Sequence, residues 1–269
     1  MQAVIVASMT ATTPLHLKPL PALADNYIWL LHDDHGNALV VDPGEATPVL
    51  DALQHQQLQL RAILLTHHHP DHIGGSARLH ALTAASIHAP DDPRIELATH
   101  RVKDGDRIEL GMPQCTLEVL AVPGHTLSHV AFHGEDLLFC GDTLFSVGCG
   151  RLFEGTPAQM LASLQRLAAL PAHTLVCCGH EYTLANCAFA QSIEPANVML
   201  QQRLQSVRCK RQAGLPSLPS RMSDELACNP FLRIDEADVI HALANEVDVA
   251  ADRVARFAAL RRMKDDFRA

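Results

Sequence analysis

Short apolar runs alternate with helical stretches from residue 15 to about residue 178. Four of the runs end in clusters of Asp, His and Gly, at 63–65, 117–122, 137–140 and 175–178. These runs have the length and apolar character of buried strands, and the turn residues that follow them mark their ends. The pattern therefore predicts four strands that each deliver metal-type ligands at the carboxyl end.

The rest of the pattern divides the chain into two parts. The run 39–41 ends in the turn signal Asp42-Pro43-Gly44, and a helix is predicted from 46 to 57. After Glu181 the strand signal fades, and 215–220 has the composition of a loop. Helical stretches are predicted at 184–193, 196–212 and 248–267. We expect an α/β catalytic domain over 14–180, a helical substrate-binding domain over 181–269, and an N-terminal tail over 1–13, with disorder as one alternative for the tail.

Composition narrows the class of partner. The chain has 269 residues, is 48% hydrophobic and carries a formal charge of -9. Such a chain lacks the broad cationic surface that phosphate backbones require, so we expect no nucleic-acid partner. An anionic small-molecule substrate would need a local basic patch.

Cysteine usage and apolar run lengths indicate the compartment. Eight cysteines are scattered without the spacing of a disulfide scaffold or of zinc clips. Residues 1–13 lack the cationic segment of a secretory signal, and no apolar run is long enough for a bilayer. We expect a cytoplasmic protein, without membrane association and monomeric.

The segment after the strand 63–65 has the residues of a metal site. His67 and His69 are two positions apart, so in extended chain both rings point to one side and can share an ion. Pro70 can turn the chain so that Asp71 and His72 face a second ion. Neutral imidazoles with carboxylates suit Zn, Fe or Mn better than Ca or Mg.

Three later residues can complete the site. His125, Asp142 and His180 each follow a predicted strand beside a glycine. Asp142 has two carboxylate oxygens and can bridge two ions with a water between them. On spacing alone the alternative of ordinary core or surface residues stays open, because the chain has 17 histidines. We expect His68 and His129 not to be ligands.

The segment His67-His68-His69-Pro70-Asp71-His72 resembles the H-x-H-x-D-H motif of the metallo-β-lactamase superfamily. The resemblance implies an αββα sandwich with two divalent metal ions at one edge, zinc first and iron or manganese as alternatives. It implies two ligand groups and one shared ligand: His67, His69 and His125 on one ion, Asp71, His72 and His180 on the other, and Asp142 on both.

Several segments from Leu20 onward resemble the glyoxalase II family within that superfamily. They are 23–27, 141–145, 148–151, 179–182, 229–233 and 261–265. The resemblance implies hydrolysis of S-D-lactoylglutathione and related 2-hydroxyacylglutathiones to D-lactate and glutathione by a metal-bridged hydroxide, the second step of methylglyoxal detoxification. Asp71 and Asp142 are the implied catalytic carboxylates.

The resemblance also implies a set of substrate-binding residues: Arg151, Phe153, Tyr182, Arg261 and Lys264. The family often has Lys at position 151 and Tyr at position 153. Arg151 keeps a cation at the first position, whereas Phe153 has no side-chain hydroxyl to contribute at the second. In the last predicted helix Val254, Phe257, Arg261 and Lys264 recur at helical spacing, which predicts that the two cations face the protein. A solvated helix end is the alternative.

Other activities fit the superfamily. The main alternative is a mononuclear-iron glutathione persulfide dioxygenase, although Asp71, His72 and His180 supply the ligands for a second ion that it would not need. A β-lactamase is disfavoured because Asp142 stands where the dizinc enzymes offer Cys. A catalytically silent metal-binding module is the third alternative.

Overall fold

The computed structural model describes residues 4–6, 14–248 and 250–268. The chain divides into two compact units: residues 1–121 with 128–141, and residues 122–127 with 142–269. The two units are groups of residues that contact one another in three dimensions. The domain boundary at 180/181 is a different division, along the sequence, and stays a prediction.

The first unit contains a seven-stranded sheet whose strands neighbour one another in chain order. The strands are β1 (Val4–Val6), β2 (Leu15–Ala22), β3 (Asn26–Asp33), β4 (Asn37–Val41), β5 (Gln59–Leu64), β6 (Ser86–Pro90) and β7 (His100–Val102). The first four run antiparallel and β4 to β7 run parallel. Of the predicted tail, only residues 4–6 are described, as β1; the other ten positions lie outside the described residues.

One face of this sheet packs against helices of the same unit. The helices are α1 (Thr47–Gln56), α2 (Pro70–Ile73) and α3 (Ser76–Thr83). Ile28 and Leu30 of β3 share a buried cluster with Val49 of α1 and Leu79 of α3. Each such side chain contributes about 1.5–3 kcal/mol by leaving water. Side chains of the opposite face, including Trp29, are buried as well.

The first unit also contains an antiparallel meander. Its strands are β8 (Arg107–Gly111), β9 (Gln114–Ala121), β10 (Val130–Gly134) and β11 (Leu137–Gly141), and each pairs with the next. Glu135 and Asp136 join β10 to β11 with φ angles of 53° and 59°. Positive φ at both central residues is typical of the two-residue turns whose twist matches that of a hairpin.

The second unit is mainly helical, with two short strand pairs. The pairs are β12 (Leu144–Phe145) with β13 (Gly148–Cys149), and β14 (Leu175–Cys178) with β15 (Ser220–Arg221). The helices are α4 (Pro157–Ala168), α5 (Thr183–Ile193), α6 (Val198–Gln212), α7 (Met222–Cys228), α8 (Ala237–Ala242) and α9 (Arg253–Asp266). In the described part of the chain, none of the helices is long and apolar enough to cross a membrane.

Helix caps account for two differences from the predicted boundaries. The helix predicted from 196 begins at Val198, because the Asn197 side chain accepts a hydrogen bond from Leu200 N. The helix predicted over 248–267 begins at Arg253, where the Asp252 side chain accepts from Ala255 N at 2.8 Å. Five helices are additions to the predicted set: α2, α3, α4, α7 and α8.

Candidate metal centre

The loop after β5 places two histidines together in the first unit. His67 Nε2 lies 3.1 Å from His69 Nδ1, and the ring centroids are 4.7 Å apart. His67 is fully buried and His69 is half-buried. Two ring nitrogens at this separation can act as neighbouring ligands of one ion, as the two-residue spacing predicts.

Pro70 starts the short helix α2, which carries the next two candidates. His72 Nε2 lies 3.5 Å from Asp71 Oδ2. The same Asp71 oxygen accepts a hydrogen bond of 3.0 Å from Asn26 Nδ2, so a side chain of β3 orients this carboxylate. A Cβ atom on Gly44 would stand 2.0 Å from Asp71 O, so only glycine allows this close approach of the two loops.

Asp42 organises the cluster of His67, His69, Asp71 and His72, although its sequence context, Asp42-Pro43-Gly44, indicates only a turn. It is 4% exposed. Its Oδ1 accepts from Thr66 N at 2.8 Å, and its Oδ2 accepts from Thr66 Oγ1 at 2.7 Å and from His72 Nδ1 at 3.0 Å. Thr66 Oγ1 in turn lies 3.0 Å from His67 Nδ1.

These hydrogen bonds fix the tautomers of two histidines. A carboxylate can only accept, so His72 must donate from Nδ1 and keeps a lone pair on Nε2. Thr66 donates its hydroxyl proton to Asp42, so His67 donates from Nδ1 to that hydroxyl and also keeps a lone pair on Nε2. Asp42 therefore orients His72 directly and orients His67 through Thr66.

Two further histidines of this unit have other contacts. The His129 ring stacks on His67 with centroids 4.6 Å apart, and its Nδ1 lies 3.1 Å from Val130 O. His68 Nδ1 lies 3.6 Å from Asp92 Oδ2. The hydrogen bond from Arg94, followed by that from Ser128, holds the pKa of Asp92 well below its usual range, although burial acts in the opposite direction. These contacts are compatible with the prediction that neither histidine is a ligand.

The second unit brings together the remaining three candidates. Asp142 Oδ2 lies 3.5 Å from His125 Nε2 and 3.3 Å from His180 Nε2. His125 donates from Nδ1 to Arg151 O at 2.9 Å, which leaves its Nε2 lone pair toward Asp142. One carboxylate oxygen between two imidazoles is the arrangement expected of a bridging ligand. The imidazole and carboxylate donors of both units fit Zn, Fe or Mn.

A cleft of about 500 Å³ in the second unit is lined by two of these residues and by every predicted substrate-binding residue. The residues in question are His125, Asp142, Arg151, Phe153, Tyr182, Arg261 and Lys264. The Tyr182 ring stacks on His180 at 4.7 Å, and the Phe153 ring meets His125 edge-on at 5.2 Å. The cleft therefore combines candidate metal ligands, aromatic rings and cations.

The three cations differ in exposure. The Arg151 side chain is 64% exposed. Lys264 is half-buried; burial, followed by the charges of Arg261 and Arg151, lowers its pKa. Arg261 is 5% exposed and its Nη1 donates to Cys149 O at 2.7 Å. The predicted inward stripe of α9 thus holds for Phe257 and Arg261, whereas Val254 is 37% exposed.

The fold and the ligand clusters agree with the comparisons with known proteins. Residues 24–180 match the family model of the metallo-beta-lactamase superfamily, which confirms the predicted αββα class. Residues 181–267 match the model described as hydroxyacylglutathione hydrolase C-terminus. A hydroxyacylglutathione hydrolase of Methylobacillus flagellatus is 53% identical over 249 residues, 93% of this chain and 98% of that protein. The chain therefore belongs to the hydroxyacylglutathione hydrolase family, a family of hydrolases within that superfamily.

Two solved structures show related folds. ETHE1 from Myxococcus xanthus has a TM-score of 0.63 and 25% identity, covering 91% of this chain and 96% of its own. TTHA1623 in a di-iron-bound form has a TM-score of 0.53 and 31% identity, covering 61% of this chain and 91% of its own. The second structure contains a pair of metal ions on the related fold.

Proposed function

We propose that the protein is a glyoxalase II, which hydrolyses S-D-lactoylglutathione and related 2-hydroxyacylglutathiones to D-lactate and glutathione, the second step of methylglyoxal detoxification. The observation that carries this proposal is the cleft of the second unit. Two candidate metal ligands, His125 and Asp142, line it together with the cations Arg151, Arg261 and Lys264. A thioester with an anionic peptide arm needs both features in one place.

Two divalent ions would be held by the seven His and Asp candidates. Membership of the family supports the division in which His67, His69 and His125 bind one ion, Asp71, His72 and His180 bind the other, and Asp142 bridges. Zinc is the proposed metal, with iron or manganese as alternatives. Such a pair supplies a nucleophilic water at neutral pH and polarises the carbonyl oxygen of the substrate.

The chain's own residues bind and orient the substrate. The glutathione carboxylates would dock on Arg151 and Lys264, two cations that line the cleft. Arg151 Nε also lies 3.5 Å from Asp265 Oδ1, a carboxylate that the substrate would have to compete with. Phe153 and Tyr182 would contact the apolar parts of the thioester, and Arg261 would support the cleft from its buried position. Asp71 and Asp142 supply the carboxylates at the reacting centre. A thiolate is a good leaving group, so the site needs no strong general acid.

The first experiment follows the thioester absorbance of S-D-lactoylglutathione with purified protein, before and after chelation and under anaerobic conditions. We expect oxygen-independent turnover that chelation abolishes and zinc restores, with close to two metal ions per chain. Absence of turnover with a single iron bound would replace this proposal with the persulfide dioxygenase.

A charge-reversal pair tests the docking of the glutathione carboxylates. We expect the double variant Arg151→Glu and Lys264→Glu to raise KM by about tenfold or more, with a smaller change in kcat, because like charges then face each other. The control is Lys103→Glu with Arg107→Glu, two exposed cations of the first unit that carry the same charge change. Equal kcat/KM for both double variants would contradict the docking.

The remaining parts of the proposal are organisational. We infer a catalytic domain over 14–180, a helical substrate-binding domain over 181–269, a monomer in solution and a cytoplasmic location. Light scattering during size exclusion tests the oligomeric state, and a mass of two chains would overturn the monomer.

A further inference from the structure

A tight hairpin lies between Asp142 and Arg151 in the chain. We call residues 144–149 the cleft hairpin; it consists of β12, a two-residue turn and β13, and its Phe145 and Cys149 line the cleft. Val147 in the turn has a φ angle of 59°. This left-handed conformation is strained for a residue with a Cβ, and turns of this kind usually place glycine there. The conformation must therefore be held by its surroundings.

Two fully buried residues hold the turn, Glu225 within α7 and Asn229 directly after it. Glu225 Oε2 accepts from Val147 N at 2.7 Å. Asn229 Nδ2 donates to Phe145 O at 3.2 Å and to Gly148 O at 2.9 Å, and lies 3.3 Å from Glu225 Oε2. Both residues have 0% exposure, so water cannot replace these bonds. Burial raises the pKa of Glu225, and hydrogen bonds from its neighbours oppose that shift.

Two further side chains donate hydrogen bonds to the backbone of the cleft hairpin. Asn186 Nδ2 donates to Ser146 O at 3.0 Å, and Arg261 Nη1 donates to Cys149 O at 2.7 Å. Together with Glu225 and Asn229, four side chains engage five backbone groups of a six-residue hairpin. So many side-chain hydrogen bonds to the backbone of one short segment indicate that the position of the cleft hairpin is tightly fixed.

The hairpin leads directly to the atoms that orient a metal-ligand candidate. Gly150 follows the hairpin, and a Cβ atom there would stand 1.9 Å from Asp142 O and 3.3 Å from His125 Nδ1. The next residue, Arg151, accepts the 2.9 Å hydrogen bond from His125 Nδ1 through its carbonyl oxygen. A displaced hairpin would therefore move the acceptor that fixes the His125 tautomer.

We propose that Glu225 and Asn229 are positioning residues, which hold the cleft hairpin so that Arg151 O keeps the His125 Nε2 lone pair directed at the metal. This inference rests on the proposed function in one respect, since it takes His125 to be a metal ligand. It assigns to α7 a role in metal binding that differs from substrate contact.

The alternative is that Glu225 and Asn229 only stabilise the fold. Metal affinity separates the two, because a purely structural role lowers the free energy of unfolding without changing the dissociation constant of the folded protein. Glu194 offers a matched control: it is 1% exposed in the same unit, and it accepts from Arg233 instead of from the hairpin.

The experiment measures zinc affinity of the chelator-stripped full chain by competition with a chromophoric chelator. We expect Glu225→Leu to weaken zinc binding by about tenfold, the lower end of the loss caused by removing an outer partner of a ligand. Glu225→Gln, which keeps a carbonyl acceptor for Val147 N, should restore most of the affinity. Glu194→Leu should lower the unfolding temperature and leave zinc affinity unchanged.

A second variant pair keeps the test valid if Glu225→Leu folds poorly. Glycine adopts the turn conformation without strain, so Val147→Gly should reduce the zinc-affinity loss caused by Asn229→Ser in a double-mutant cycle. Equal affinity losses for Glu225→Leu and Glu194→Leu, or unchanged zinc affinity in every hairpin variant, would overturn the proposal. Failure of wild-type thioester turnover with normal zinc binding would instead overturn only the proposed function.

Discussion

Replacement of Asp42 by Asn is the sharpest test of the first ligand cluster. Asparagine tolerates the left-handed backbone at this position, where φ is 53°, so the change alters the side chain without straining the chain. The amide oxygen can still accept from Thr66 N. The amide nitrogen, however, would replace Oδ2, which accepts from Thr66 Oγ1 and from His72 Nδ1.

The expected loss follows from that geometry. Two hydrogen bonds to a buried carboxylate disappear, and an amide donor favours the His72 tautomer that accepts at Nδ1 and carries its proton on Nε2. That tautomer has no lone pair for an ion. We expect the zinc affinity of the proposed site that includes His72 to fall by about 10- to 100-fold. The free energy of unfolding of the metal-free protein should fall by about 1–3 kcal/mol.

The assay is zinc competition on Asp42→Asn together with metal content after dialysis at fixed free zinc. Asp33→Asn is the control, since Asp33 is also a buried carboxylate of the first unit but accepts from the backbone of His35 and from Asn37. Two ions bound to Asp42→Asn with wild-type affinity would refute the assignment of Asp42 as the group that sets the tautomer.

Four further outcomes are expected. Gly150→Ala should lower both zinc content and stability, because its Cβ would collide with Asp142 O, whereas Gly111→Ala, which meets nothing within 4 Å, should be nearly silent in metal analysis and thermal unfolding. Because burial lowers the pKa of Lys264, its charge is lost at a lower pH than that of an ordinary lysine, so KM should rise with pH through that lowered pKa. Lys264→Arg should lack this rise. The same KM ratio between wild type and Lys264→Arg at every pH would contradict the prediction. In the same window the unfolded chain binds more protons than the folded one, so stability relative to Lys264→Met should increase with pH in urea titrations. A thiol reagent should modify about one of the eight cysteines in the native protein, Cys209, and all eight in denaturant; rapid native reaction of several thiols would contradict the described burial.

Local spacing made much of this molecule predictable. The strands at 137–140 and 175–178 and the proximity of the His67 and His69 rings could be predicted, because apolar runs and two-residue spacing are properties of neighbouring positions. The burial of Arg261 is also readable, since it extends the helical stripe that contains Phe257. In each case the signal lies within a few residues of the feature that it predicts.

The features that escaped prediction depend on distant contacts. Asp42 is separated from Thr66 by 24 positions and from His72 by 30, and its own neighbours, Pro43 and Gly44, signal only a turn. Glu225 lies in a polar stretch, so nothing nearby indicates that its carboxylate is buried. The cleft hairpin has strands of two residues each and an apolar residue in its turn, which contradicts the usual turn composition.

The bonds that hold the cleft hairpin also set an order of events during synthesis. The hydrogen bond of Val147 N cannot form until Glu225, 78 positions later, has been synthesised. The hydrogen bond of Cys149 O cannot form until Arg261, 112 positions later, has been synthesised. At ribosomal rates this delay is on the order of ten seconds. All seven ligand candidates have by then been translated, so a nascent chain has its donors well before it has the partners that orient His125. We therefore expect tight metal capture to begin only once translation has passed α9.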